Sequence, residues 1–380
     1  MIYLDYSATT PVDKRVLNTF NKVCLEYPGN SNSLHKLGCE AMELENYATD
    51  RIKDILKLKD KEIIYTSGAS ESNNQAIKGI CFKYKNRGRH IITTYLEHSS
   101  VISTISFLAD MGFVIDYVKL DDNGLVDLDH LRRLMTNDTI LVSICMVDSE
   151  LGIRQPISKI SEILKGYPKC FFHVDCTQAL GKIDIDFSLM DLASVSIHKI
   201  YGMKGIGMLI KNKSLSLMPL IHGGKSSTVY RSGTPALPLI VSAMKAIELI
   251  VPEINKNYDY VSSLNKIIID GLSKYDGVSI NSTDYSIPYV INFSLKGIKP
   301  ETFIHAMDSY DIYISTKSAC SLANTMSDAV YAVTKNRESA ISSIRVSLSY
   351  LTTEEEVYEF LRVFDICYNK LNMSGNNEKV

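Results

Sequence analysis

Two residues of opposite charge stand just past short apolar runs, and together they define a chemistry. Phe171 to Val174 reads as a buried strand, and Asp175 stands at its end, where open α/β sheets place ligand-contacting residues. Ala193 to Ile197 reads as a second strand, followed at once by His198, Lys199 and a glycine-containing turn, YGMKGIG. Neighbouring parallel strands would carry Asp175 and Lys199 into one crevice. That pairing suits pyridoxal phosphate, which needs a lysine for covalent attachment and an acid to keep its pyridine nitrogen protonated, so that the ring becomes an electron sink. Taken singly, an aspartate past a strand is an ordinary helix cap and a lysine in a turn is a solvated cation. The combination carries the reading.

Other stretches could serve the same crevice. Glu62 to Thr66 reads as a strand running into SGASESNNQAIKGI, a turn that opens a helix. Free backbone N–H groups at such a helix start, with the Ser70 hydroxyl, make a natural phosphate site, although Ser70 or Ser67 would also serve as a plain N-cap. His98, in EHSS, titrates near neutral pH and suits proton transfer. Cys320, in ISTKSACSLAN, follows a strand and sits among small residues, in a loop able to present a thiol. Arg345, in SSIRVSLSY, lies inside an apolar-flanked strand, where a guanidinium needs a buried anionic partner.

The elements that must position these groups alternate along the chain. After a short strand-like start broken at Pro11, helical periodicity runs from Lys14 to Leu25 and again from about Cys39 to Leu56. Strands at His90–Thr93, Val114–Val118 and Ile140–Ile144 alternate with helices at Val101–Asp110 and Leu128–Met135, which implies a mostly parallel, helix-covered sheet. Pro238 to Ser273 is largely helical. Strands at Tyr289–Leu295, Ile312–Ser315 and Ser343–Ser347, with helices at Glu301–Ser309 and Thr353–Asn369, make an α+β unit. The closing NMSGNNEKV is polar and reads as a disordered tail.

HVDCTQ followed by SIHKIYGMKGIG resembles the cofactor signature of the cysteine desulfurases, the NifS/IscS-like branch of the fold-type I class V aminotransferases. The resemblance implies that Lys199 carries the cofactor, Asp175 pairs the pyridine nitrogen, Gln178 contacts the ring hydroxyl, and Ser196 and His198 bind the phosphate. TSGASESNNQAIKG resembles the family's phosphate turn and implies that role for Ala69 and Ser70. By the same resemblance His98 stacks on the ring and moves protons near the substrate thiol. The stretch HGGKSSTVYRSGT is similar to a family loop whose threonine reaches the phosphate of the neighbouring subunit, which implies a homodimer with Thr234 in that role. The SAC loop makes Cys320 the match to the family's nucleophile, and SSIRVSLSY implies that Arg345 forks onto the substrate carboxylate. YLDYSATTP is similar to the family's opening motif, which lines the substrate cleft.

Several positions depart from the family pattern. Asp148 and Ser149 replace an Asn-Asn pair, so Ser149, beside substrate, lacks an amide donor; Lys317 replaces a glycine in the cysteine loop. Met326-Ser327-Asp328 stands where Glu-Pro-Ser is usual, and Ser349 where glycine is usual.

Composition narrows the remaining classes. The net charge of −2 offers nothing to nucleic acid or a membrane surface, and no long apolar span or secretory leader is expected. The eight cysteines contain no Cys-x-x-Cys pair, so no zinc site or disulfide framework is expected, and Cys320 enters only as a transient cluster ligand. The reading is therefore an α/β fold-type I enzyme dependent on pyridoxal 5'-phosphate. A large cofactor domain over 14–250 carries a mostly parallel seven-stranded sheet; a smaller α+β domain takes 1–13 and 251–372; 373–380 is a disordered tail. The implied activity is cytoplasmic conversion of L-cysteine to L-alanine. Sulfur would be held as a persulfide on Cys320 and passed to an acceptor protein, either an iron–sulfur scaffold or a tRNA-thiolation enzyme. A selenocysteine lyase, another cofactor-dependent relative such as a class V aminotransferase, and a degenerate scaffold paralogue remain the alternatives.

Overall fold

The computed structural model of the chain describes residues 1–224, 226–316 and 326–377, the last five of these by backbone alone. Its strands are β1 Ile2–Tyr3, β2 Lys61–Thr66, β3 His90–Thr93, β4 Val114–Tyr117, β5 Thr139–Cys145 and β6 Phe171–Asp175. They continue with β7 Leu192–Ser196, β8 Gly207–Asn212, β9 Val278–Ile280, β10 Val290–Leu295, β11 Ile312–Tyr313 and β12 Ser343–Ser347.

Seven strands form the main sheet in the order β2-β8-β7-β6-β5-β3-β4. Every pairing is parallel except those of β8, which runs antiparallel to both of its neighbours. β5 and β7 are buried along their whole length, as strands covered on both faces by helices must be, so their residues are apolar or small and polar, with no charge. From β3 the chain goes first to β4 on one side and then to β5 on the other, so the order reverses there. Ligands of such sheets bind outside the carboxyl ends of the strands near the reversal.

The carboxy-terminal part builds a second sheet, antiparallel β12-β10-β9, backed by an aromatic cluster of Phe293, Phe303, Phe360 and Phe364. The chain start joins this part: β1 pairs in parallel with β11, and Asp5 bridges to Ser347 on β12. That pairing carries Ser7 and Ala8 to the edge of the main sheet, where their carbonyls meet Lys199.

Several elements differ from the sequence reading. The stretch read as one helical run from Pro238 is two helices, Leu237–Ile250 and Ile254–Leu272, separated by a 3-10 turn at Pro252, which lacks the N–H that an unbroken helix needs. Strand β11 is only two residues long and pairs with the chain start, while Ser315 makes an isolated bridge to Arg345. Short helices at Asp328–Thr334 and Arg337–Ile341, and strands β8 and β9, were not expected. The last helix is Glu354–Asn377, so the backbone of 373–377, expected as disordered tail, is helical.

Candidate active site

Lys199 closes a 3-10 turn, Ile197–Lys199, directly after β7. The tight turn depends on Gly202, where a Cβ would lie 2.1 Å from the Ile197 side chain. The Lys199 ammonium donates to the Ser7 carbonyl at 2.5 Å and the Ala8 carbonyl at 2.7 Å. Asp175 ends the adjacent parallel β6 and is 6% exposed; its carboxylate accepts from Asn73 Nδ2 at 2.8 Å and from the Thr177 N–H at 2.9 Å. Both side chains line one cavity of about 490 Å³, together with Ala69, Ser70, His98, Ser149, Gln178, Ser196, His198 and Arg345. The paired-strand expectation for Asp175 and Lys199 therefore describes what the fold builds.

One end of the cavity is rich in donors. Helix Ala69–Tyr84 begins at Gly68 with no side-chain cap, so its first N–H groups face the cavity beside the hydroxyls of Ser70 and Ser196. Gly207 lets β8 approach this turn, since a Cβ there would lie 2.7 Å from the Gly68 backbone. His198 bonds Thr9 Oγ1 through Nδ1 at 3.1 Å, and burial, with Lys199 and Lys204 nearby, lowers its pKa to about 4. Uncapped N–H groups and hydroxyls at one end, with a lysine and a buried acid farther in, fit pyridoxal phosphate. Lys199 would hold it covalently, Asp175 would face the pyridine nitrogen, and the Ala69–Ser70 turn with Ser196 and His198 would take the phosphate.

His98 is the N-cap of helix Ser99–Asp110: its Nδ1 accepts from the Ser100 N–H at 3.1 Å. An acceptor Nδ1 places the proton of the neutral ring on Nε2. Burial lowers its pKa against the opposing pull of Asp175. Ser100 Oγ, 2.8 Å from the same Nδ1, also accepts from Asn73 Nδ2, which donates to Asp175 as well. Asn73 thus ties His98 to Asp175. Sequence reasoning passed over Asn73 and Ser100, although Asn73 lies within the quoted phosphate turn and Ser100 within EHSS.

Arg345, in the middle of β12, is 1% exposed. Its NH1 donates to the Ser149 carbonyl at 2.9 Å and its NH2 to Asp5 Oδ1 at 2.8 Å, while Nε is buried with no partner among the described residues. Asp5 is the anionic partner that a buried guanidinium requires. If Arg345 receives a substrate carboxylate, as the resemblance implies, its loss to alanine should weaken substrate binding by about 1.5–3 kcal/mol, one charge-assisted pair, which is roughly a 10- to 150-fold rise in KM. Steady-state kinetics checks this, with kcat falling less than KM rises.

The two departures at 148 and 149 separate in space. Ser149 lines the cavity, whereas Asp148 does not: it is 1% exposed, and its carboxylate accepts from the N–H groups of Glu150, Leu151 and Gly152. The change at 148 is therefore absorbed as the cap of a turn, and only Ser149 bears on a ligand. Thr234 lies in a smaller adjoining cavity of about 90 Å³, not in the main one of its own chain. Its loop is held by Arg231 on Glu71 at 3.0 Å and by Ser227 on Glu45. Cys320 and Lys317 lie outside the described residues.

A buried acid sits beside His98. Glu97 Oε1 accepts from the Cys145 N–H and the Thr94 hydroxyl, and burial pushes its pKa up to about 8. With the folded value raised above the unfolded one of 4.5, its contribution to stability is full below about pH 4.5 and is lost as pH rises towards 8. Chemical denaturation of wild type and Glu97→Gln across this range should show the wild type losing on the order of 4–5 kcal/mol relative to the variant. Parallel pH profiles would contradict a protonated Glu97.

Comparisons with known proteins identify the family. The aminotransferase class-V family matches residues 2–360. A NifS/IcsS protein homologue from Lactobacillus delbrueckii subsp. bulgaricus is 38% identical, covering 99% of this chain and all of its own length. Cysteine desulfurase IscS from Pseudoalteromonas translucida is 40% identical over 94% of this chain and 90% of its own. A solved NifS-like protein superposes with a TM-score of 0.90 at 35% identity, covering 96% of this chain and 98% of the other. The chain belongs to the class-V aminotransferase family. Within it, the chain is a NifS/IscS-like cysteine desulfurase with the fold-type I architecture. Among the described residues no helix is long and apolar enough to cross a membrane.

Proposed function

We propose that this enzyme converts L-cysteine to L-alanine with pyridoxal 5'-phosphate and stores the sulfur as a persulfide on Cys320. The observation that carries the reading is the convergence of Lys199, Asp175 and Arg345 on one cavity whose far end is lined by uncapped N–H groups. Bound there, the cofactor supplies an electron sink for negative charge at the substrate α-carbon. Arg345 receives the substrate carboxylate, with Asp5 and the Ser149 carbonyl holding the guanidinium in place. Lys199, as the free amine, takes the α-proton. Asp175, held by Asn73 and Thr177, faces the ring nitrogen. His98 offers Nε2–H on the cavity side for proton movement near the thiol. Cys320 attacks the substrate sulfur: the S–S bond forms as the Cβ–S bond breaks, the electron pair stays with carbon, carbon gains a proton, and alanine leaves. Alanine released from L-cysteine, set against release from selenocysteine and cysteine sulfinate, tests the assignment; a preference for either of the latter would favour the lyase alternative.

The persulfide then passes to an acceptor protein in the cytoplasm, an iron–sulfur scaffold or a tRNA-thiolation enzyme. The enzyme acts as a homodimer in which Thr234 serves the other subunit's phosphate site. In support, Thr234 is outside its own chain's main cavity, and its loop is tied through Ser227 and Glu45 to helix Lys36–Ile55, which exposes Leu37, Met42 and Tyr47. Sedimentation should give a dimer, with Thr234→Ala weakening cofactor retention. A monomer of full cofactor affinity would refute the shared site.

A further inference from the structure

Lys182 is a buried cation for which the mechanism above has no use. It lies in the turn after β6, four residues past Gln178, and is 7% exposed. Its ammonium donates to Gln178 Oε1 at 2.6 Å, and its other near neighbour is the face of Tyr289, 6.0 Å away. The charged groups that act on it, Lys199 and Arg345, are both cations, and with burial they lower its pKa to about 7. Among the described residues no carboxylate pairs with it. A buried ammonium with one hydrogen bond among the described residues and two cations nearby lowers stability, and an apolar side chain of similar length would pack there without that penalty.

Its one hydrogen bond suggests what it does. The Gln178 amide has two faces that differ only in which atom, oxygen or nitrogen, points at the cavity. With Oε1 held by Lys182, Nε2 is left on the other side, where it donates to the Ser7 carbonyl at 3.0 Å, the same carbonyl that accepts from Lys199. A continuous chain therefore runs from Lys182 through Gln178 and Ser7 to Lys199. We propose that Lys182 is a positioning residue that locks the Gln178 amide with its N–H2 towards the cofactor ring hydroxyl, and so sets how that hydroxyl is hydrogen-bonded. The inference rests on the placing of Gln178 at the ring.

A double-mutant cycle on the cofactor-loaded protein tests it, with Lys182→Met, Gln178→Ala and both together. The readouts are the pH midpoint of the bound cofactor's absorbance, the cofactor dissociation constant and the melting temperature. Freed from Lys182, the amide can turn its oxygen to the ring, and the hydroxyl loses its donor. Lys182→Met should then raise the midpoint and weaken cofactor binding about tenfold, the worth of one hydrogen bond. Gln178→Ala should do the same, and the double variant should add nothing further. The melting temperature of Lys182→Met should be unchanged or higher, because a buried charge has been removed. If Lys182→Met does not fold, Lys182→Gln replaces it in the same cycle. An unmoved midpoint and affinity in the Lys182 variant, or effects that add to those of Gln178→Ala, would overturn the proposal. A silent Gln178→Ala would overturn it together with the placing of Gln178 at the ring.

Discussion

Lys199→Ala is expected to abolish alanine release from cysteine, by about 10⁴-fold or more, because in the proposed mechanism one side chain both attaches the cofactor and moves the α-proton. The loss should be chemical and not structural. Lys199 is part-buried and donates to the backbone carbonyls of Ser7 and Ala8, so the variant forfeits about 1 kcal/mol for each of these bonds and keeps its fold. Ser70 and Ser196, proposed to take the phosphate, and the acid Asp175 belong to other elements and stay in place. Lys199→Ala should therefore still take up pyridoxal phosphate and release it on dialysis. Circular dichroism and absorbance check the fold and the bound cofactor, and an alanine assay checks the chemistry. Residual activity within tenfold of wild type would remove Lys199 from its assigned role.

Cys320→Ala should split the reaction in two. In the proposed mechanism, activation of the substrate α-carbon depends on Lys199, Asp175 and Arg345, all of which line the cavity. Removal of sulfur depends on a thiolate from another part of the chain. The variant should bind cysteine with wild-type affinity and show the cysteine-induced absorbance change, yet form no protein persulfide. Stopped-flow absorbance and persulfide labelling make the comparison. The buried thiols cannot substitute for it: burial pushes the pKa of Cys145 and Cys176 up, so neither supplies a thiolate near neutral pH.

Legibility in the sequence followed the range of the contacts. Asp175 and Lys199 could be paired in advance because each ends a short apolar run, and parallel strands of an α/β sheet bring such ends together. Ser70, His98 and Gln178 were legible through the motifs that hold them, SGASESNNQAIKG, EHSS and HVDCTQ, and through the family resemblance those motifs carry. Their partners were not. Asp5 meets Arg345 from 340 residues away, and Asn73 reaches Asp175 across 102, so no local pattern links either pair. Lys182 looks like any lysine in a polar turn, and only the tertiary fold buries it. Secondary structure shows the same division: β5, β6 and β7 are each built around a short apolar stretch and were readable, whereas the two-residue β1 and β11 owe their extended form to each other.

The measurement that bears most directly on the whole account is peptide mass spectrometry of the cofactor-loaded protein after incubation with L-cysteine, with released alanine counted alongside. The account predicts one added sulfur on the peptide that contains Cys320, alanine in matching amount, and neither product in Lys199→Ala. Persulfide mapped to another cysteine, or left undiminished in Cys320→Ala, would contradict it.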